Sequence, residues 1–367
     1  MRVLVLTAFY PIPGGTHERM FVHVRNQYYQ RNGINVTVLN FDAKNNYDID
    51  GIRVITLNEF VRNNGKEKYD ILISHSANLR NHYRFLKKYQ SKFERLVFFF
   101  HGHEMLYLNK DYPRPYSYLK AAKWHKVLIQ DMYDALKIKI WATYYKKLSS
   151  KSEFIFVSEW IHRQVLKNTN LNDYDLKDRV HIINNSIGSI FELHNYDIKT
   201  YKEFDYITIR SNIDGSKYCI DLLTEYAKNN PEKRFLLIGK GKYFDYHTIP
   251  GNITWINKTI THDDMLDYIN RSKCALMLTR EDTQGVMTCE METYGIPVIT
   301  SDIEVCHEFF ENMSGVKMIP NSPISNSIND IYEELYSRLP FEKDKRFFAQ
   351  NTIEREIQLF QSIIERN

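Results

Sequence analysis

LTREDTQGVMTCEMETYGIPVITSD, residues Leu278–Asp302, passes from the end of a strand through a polar loop and a helix into a second strand. The first strand ends at Thr279, and the loop carries Arg280, Glu281 and Asp282. Helical spacing predicts a helix from about Gln284 to Tyr294. Gly295 stands where a helix C-terminal stop belongs, and Ile296-Pro297 leads into the apolar run Val298–Ser301. Fully apolar strands joined through helices form buried parallel sheets, so this passage reads as one unit of an α/β fold. The start of the helix presents free backbone N–H groups and a partial positive charge, both suited to phosphate. Asp282 and Glu290 lie eight residues apart, which leaves them about 80° apart around a helix. Both can face one ligand only if Asp282 is in the loop and Glu290 in the helix. A capping Asp and a solvated Glu are the alternative that spacing alone leaves open.

The same alternation extends over nearly the whole chain. Strand candidates in the first half are Val3–Thr7, Val36–Phe41, Arg53–Leu57, Ile71–Ser74, Leu96–Phe100, Phe154–Val157 and Val180–Ile183. The second half offers Tyr206–Ile209, Arg234–Ile238, Ile253–Ile256, Ala275–Leu278, Val298–Ser301 and Val316–Ile319. Helical patterns fall between them, as at Glu18–Arg31, closed by Gly33, and at His262–Asn270. The series restarts after the polar stretch Asn184–Phe204, which puts a boundary near residues 190–203. The expected domains are 1–192, joined by a terminal helix at about 345–367, and 193–344, both Rossmann-like, with ligands at the carboxyl ends of their strands.

Composition narrows the class. A chain of 367 residues, 43% hydrophobic and 26% charged, can bury two cores and is not a disordered polymer. A net charge of +4 is too weak to argue for nucleic acid, though it tolerates phosphate-bearing ligands or anionic lipid. Cys219, Cys274, Cys289 and Cys306 form no CxxC pair, so they read as reduced thiols in a cytoplasm. No run is long and apolar enough to span a membrane, and the opening MRVLVLTAFYPIPGG lacks the basic lead of a signal peptide.

Asp282-x7-Glu290, followed by Gly295-Ile-Pro297-Val298, resembles the signature of the retaining glycosyltransferases of family 4, E-x-F-G-x-x-x-x-E-A-x-x-x-G-x-P-V. Those enzymes have the GT-B fold, two Rossmann-like domains facing each other across a cleft, with a C-terminal helix crossing back to the first. Two departures touch the donor-sugar pocket: the first acid is Asp282, unless Glu281 takes its place, and Gln284 stands where Phe is common. The resemblance implies that Arg210 and Lys217, in ITIRSNIDGSKYCIDLL, neutralise a nucleotide diphosphate together with helix-start amides at Gly285 and Val286. It implies that Glu290 binds ribose and Asp282 the sugar hydroxyls, with Gln284 lining the donor pocket. Gly239 and Gly241, in LLIGKGKYF, match its G-x-G loop near base and ribose; they lack the third glycine and the acid of a dinucleotide fingerprint. In the first domain the loop with Gly14 and Gly15 would close over the donor phosphates. His101, in FFFHGHE, would contact the donor sugar, leaving His103 and Glu104 as supporting or acceptor-side candidates. The family's Asn-Gly before the hinge stands here as Asn185-Ser186.

His-x-His at 101–103 has no companion ligands for a metal, and Asp48-Ile-Asp50 and Asp173-Tyr-Asp175 read as chance DXD matches in polar loops. The reaction implied by the resemblance needs no metal and no cofactor. Residues 116–148 interleave lysines with Trp124, Trp141, Tyr144 and Tyr145. They read either as an interfacial helix pair binding anionic lipid or as amphipathic helices with a solvated basic face. The expected protein is a retaining hexosyltransferase taking a nucleotide diphosphate sugar, UDP-sugar ahead of GDP-sugar. Its expected acceptor is a glycan or polyprenyl-linked sugar of surface polysaccharide synthesis, met in the cytoplasm or on the inner face of the plasma membrane. A nucleotide-sugar 2-epimerase and a non-catalytic nucleotide-sugar-binding subunit are the rivals.

Overall fold

A computed structural model describes residues 1–14, 20–63, 67–322 and 328–366. The chain divides into two compact units, each with its own sheet and core. The first comprises Met1–Tyr107, Met132–Ser186 and Ala349–Asn367; the second comprises Leu108–Asp131 and Ile187–Phe348.

The sheet of the first unit is built from β1 (Arg2–Thr7), β2 (Asn35–Asn40), β3 (Tyr47–Ile49), β4 (Ile52–Ile55), β5 (Ile71–His75), β6 (Arg95–Phe100), β7 (Ser152–Phe156) and β8 (Val180–Ile182). Their order is β3-β4-β2-β1-β5-β6-β7-β8, parallel except for the β3–β4 hairpin. The direction of winding reverses between β1 and β5, which creates a crevice at the carboxyl ends of those two strands. Val3, Val5, Val38, Ile73 and Val97 fill one face. The terminal helix Ile353–Glu365 completes that core with Ile353, Ile357, Phe360 and Ile363, so it belongs to the first unit as expected. It is also tied down by charge. Arg25, fully buried on the helix Met20–Arg31, donates to Glu356 Oε1 at 3.0 Å, to Asn185 Oδ1 at 3.0 Å and to the Phe21 carbonyl at 3.1 Å.

The second unit contains β9 (Phe204–Asn212), β10 (Phe235–Lys240), β11 (Ile253–Ile256), β12 (Ser272–Met277), β13 (Val298–Ser301) and β14 (Val316–Ile319). They are all parallel, in the order β11-β10-β9-β12-β13-β14. This is the doubly wound order with its switch point between β9 and β12. The helix Ile220–Asn229 buries Ile220, Leu223, Tyr226 and Ala227 against this sheet.

Three expectations change. Sequence alone places β3 in a polar loop holding the Asp48/Asp50 pair. Asp50 and Gly51 in fact take φ of 50° and 77°, the two-residue turn that closes an antiparallel hairpin. Residues 108–131, placed in the first domain by sequence, belong to the second unit, and the break there falls at Ser186–Ile187 rather than 192–193. Residues 116–148 are not a helix pair: one helix, Trp124–Leu148, follows an irregular stretch and a short turn at Lys120–Ala122. Pro113 and Pro115 disfavour helix in the approach. Trp141 and Tyr145, offered as interfacial aromatics, are core residues at 0% and 1% exposure, whereas Trp124 is 77% exposed.

Candidate active site

In the second unit the segments carrying Arg210 and Lys217 meet the Leu278–Arg280 stretch that follows β12, at the β9/β12 switch point. Arg210 lies near the carboxyl end of β9, where its pairing with β10 shifts register between Ile209 and Asn212. Its Nη2 donates to the Leu278 carbonyl at 2.7 Å, and its guanidinium lies 4.8 Å from the Tyr218 ring centroid. Its Nε is buried without a hydrogen-bond partner among the described residues. Burial pulls the guanidinium below its ordinary pKa, against the pull of Tyr218 and Asp282.

Lys217 rides on the short turn Ser216–Tyr218, just before Cys219, whose φ of 55° starts the helix Ile220–Asn229. Its ammonium lies 4.7 Å from the Tyr218 ring and 5.9 Å from the Tyr112 ring. Burial alone would depress its pKa; the Asp282 carboxylate, with Tyr218, outweighs burial and raises it. Two cations thus converge on one carboxylate. The surplus positive charge in a buried crevice suits a polyanion.

The helix that follows begins at Val286, so Gly285 with φ 71° caps it and Gln284 lies in the loop, two residues later than sequence spacing predicts. Gln284 is buried, and the helix ends at Gly295 as expected. Asp282 sits in the loop and Glu290 within the helix, the arrangement that lets both face one ligand. Glu290 accepts the Gly188 N–H at 3.0 Å through Oε1, yet burial dominates and pushes its carboxyl up to about 7. Burial likewise raises Glu281 to about 7, with Asp282, Asp111 and Glu304 adding repulsion.

Gly239 and Gly241 have a structural reason to be glycine. A Cβ on Gly239 would fall 2.3 Å from the Arg210 carbonyl oxygen, and one on Gly241 would fall 2.5 Å from Ile213 Cγ1. The loop between them therefore packs directly on the strand end that carries Arg210.

In the first unit His101 follows β6, with Nε2 3.0 Å from His75 Nδ1 and Phe21 tilted against its ring at 4.6 Å. Glu104 accepts the backbone N–H of His101 at 3.1 Å and of Gly102 at 2.7 Å, so it shapes the loop while His103 is exposed. Gly14 is exposed with φ 67°, and Gly15 lies outside the described residues. Among the described residues no three His, Cys, Asp or Glu side chains gather as a metal-binding group.

Sequence reasoning missed the scaffold beneath Lys217. Arg280 pairs with Asp221 through both guanidinium ends, at 2.9 and 2.6 Å. Arg280 was visible in the quoted loop; nothing in its spacing pointed to Asp221, 59 residues earlier.

Neither a protein-family model nor a curated protein sequence matches the chain. Solved structures do. Sucrose-phosphate synthase from Thermosynechococcus elongatus superposes with a TM-score of 0.74 at 11% identity, covering 100% of both chains. A glycosyltransferase from Rickettsia africae gives 0.67 at 11% identity over 100% of this chain and 99% of that one. The catalytic domain of starch synthase IV from Arabidopsis thaliana, bound to ADP and acarbose, gives 0.57 at 10% identity over 99% of each. The two Rossmann-like units are thus those of the GT-B fold.

Proposed function

We propose that this chain is a glycosyltransferase that moves a hexosyl group from a nucleoside diphosphate sugar, a UDP-sugar first, to a glycan or polyprenyl-linked acceptor, with retention and without a metal. The observation that carries the reading is the pairing of Arg210 and Lys217 beside Asp282 at the switch point of the second sheet. Arg210 Nε is unpartnered among the described residues, and a phosphate oxygen would satisfy it. Charge builds on the diphosphate as the glycosidic bond breaks, and fixed buried cations stabilise that charge better than water does. Glu290 would hold the ribose hydroxyls and Asp282 those of the sugar, with Gln284, Gly285 and Val286 lining the donor pocket and Gly239 and Gly241 shaping the base loop. His101 would orient the sugar. No side chain is assigned as nucleophile: a leaving phosphate oxygen helps to deprotonate the acceptor on the same face. The likeness to the ADP-bound starch synthase fold supports a nucleotide donor.

The acceptor side is read as peripheral to the inner face of the plasma membrane. Trp124, Leu128, Met132 and Leu136 recur at four-residue spacing on one helix and are all more than half exposed, as is Ile129. Exposed Lys120, Lys123, Lys126 and Lys139 accompany them. That combination fits an anionic lipid surface. No helix among the described residues is long and apolar enough to cross a membrane.

The test is donor turnover with UDP-, GDP- and ADP-sugars, with and without lipid-linked acceptors, in metal-free buffer. Transfer that requires acceptor and disappears in Lys217→Ala supports the reading. Acceptor-independent conversion of donor points to an epimerase, and binding without turnover to a non-catalytic subunit.

A further inference from the structure

Residues 112–118 form an irregular strap of the second unit that ends in a turn, Leu119 N–H donating to the Tyr116 carbonyl at 3.0 Å, and both loops of the candidate donor site are bonded to it. The Tyr116 hydroxyl donates to Asp221 Oδ1 at 2.8 Å. Asp221 in turn holds the guanidinium of Arg280. Arg280 then reaches the lysine loop twice: its Nη1 donates to the Ser216 carbonyl at 2.8 Å, and its backbone N–H to the Lys217 carbonyl at 2.7 Å. Thr279 Oγ1 donates to that same carbonyl at 3.1 Å. Two residues along the strap, Tyr118 donates to Asp214 Oδ1 at 2.8 Å. Asp214 accepts the Lys242 N–H, at 2.9 and 3.1 Å, just after the Gly239–Gly241 loop. The rings are fixed as well: Tyr118 stacks on Tyr246 at 4.4 Å, and Tyr116 packs on Tyr243 at 5.1 Å.

We propose that this strap sets the donor loops and that Arg280 is the positioning residue through which it acts on Lys217. The proposal rests on the donor reading given above. A lysine has a long, flexible stem, so the placement of its charge depends on the backbone that carries it. Arg280 holds the carbonyls on either side of Lys217; its backbone N–H holds the second whatever the side chain, while the guanidinium joins the Ser216 carbonyl to both oxygens of Asp221, a fork that a point charge does not reproduce. A displacement of about 1 Å at such a group can cost about a hundredfold in rate.

The experiment is calorimetric titration of the full chain with UDP, with GDP and ADP run beside it. The variants are Lys217→Ala, Arg280→Gln, Arg280→Lys, Tyr116→Phe with Tyr118→Phe, and Arg280→Gln combined with Lys217→Ala, each checked by thermal melting. Arg280→Gln is expected to weaken binding about tenfold or more, and Arg280→Lys to recover only part. The tyrosine pair should weaken it several-fold, and Arg280→Gln should cost nothing further once Lys217 is Ala. If Arg280→Gln fails to fold, Arg280→Lys and the tyrosine pair carry the same comparison. Binding lost in Lys217→Ala but unchanged in the Arg280 and tyrosine variants would overturn the strap and leave the donor site standing. An Arg280 effect that persists in full without Lys217 would also overturn it. Equal nucleotide binding by wild type and Lys217→Ala, or none by either, would remove the donor reading and the strap with it.

Discussion

Glu290→Gln is expected to stabilise the second unit while weakening nucleotide binding, and the sign depends on pH. In the fold the carboxyl is raised to about 7 from 4.5, burial being the main cause. The folded protein therefore holds a proton on Glu290 that the unfolded chain releases. The resulting stability is complete below pH 4.5 and is lost as pH rises through 7. At about 1.4 kcal/mol per pKa unit the loss above pH 8 is on the order of 3 kcal/mol. A neutral Gln avoids that loss, and the raised value already includes the better bond a carboxylate makes with the Gly188 N–H. The net gain at pH 8 is therefore on the order of 3 kcal/mol, or about 6–12 °C in the melting of a unit of this size. Wild type and Glu290→Gln should melt together at pH 5 and separate from pH 6 upward. Calorimetric melting across that range, with UDP titration at pH 7.5, tests both halves. A variant equally destabilised at pH 5 and pH 8 would show that the Glu290 carboxyl is not held protonated by burial. A stabilised variant that binds nucleotide normally would take Glu290 out of the site.

Further perturbations separate packing from function. Glu356→Ala leaves Arg25 buried without its carboxylate and should cost about 3–5 kcal/mol, whereas Arg25→Met with Glu356→Leu should cost far less; denaturant unfolding compares the two. Gly239→Ala puts a methyl 2.3 Å from the Arg210 carbonyl, so both melting temperature and UDP binding should fall, by calorimetry. Replacing Trp124, Leu128 and Met132 with Ser removes exposed apolar surface only. Sedimentation with phosphatidylglycerol vesicles should drop several-fold while UDP affinity stays unchanged. Retained vesicle binding would remove the lipid reading of this helix.

The sheets were legible because each parallel strand is a short, unbroken apolar run, so Val3–Thr7 or Val298–Ser301 needs no neighbour to be read. β3 was harder: Tyr47-Asp-Ile has no apolar run, and only the Asp50-Gly51 pair announced the hairpin. Within the site, Arg210, Lys217, Asp282 and Glu290 were placed by motif, and all four lie in the second unit. Arg280, Asp221, Tyr116 and Tyr118 were not found, because their meaning lies in hydrogen bonds across 59 to 105 positions. The lysines and aromatics of 116–148 misled for a related reason. Composition alone cannot say that Trp141 faces a core and Trp124 water.

The two units trade segments, and this sets a schedule for synthesis. A ribosome delivers Met20–Arg31 early, with an arginine destined for burial, but Glu356 and the apolar residues of Ile353–Glu365 emerge more than three hundred positions later. Meanwhile the strap at 112–118 waits for Asp214 and Asp221. Neither body can close from a contiguous piece of the chain. A nascent first half must keep its Val, Phe and Tyr surfaces in solution, or in the keeping of a chaperone, until the other is made. Expressing residues 1–186 alone should accordingly yield an aggregating fragment, and adding a peptide spanning 349–367 should recover part of it in soluble form.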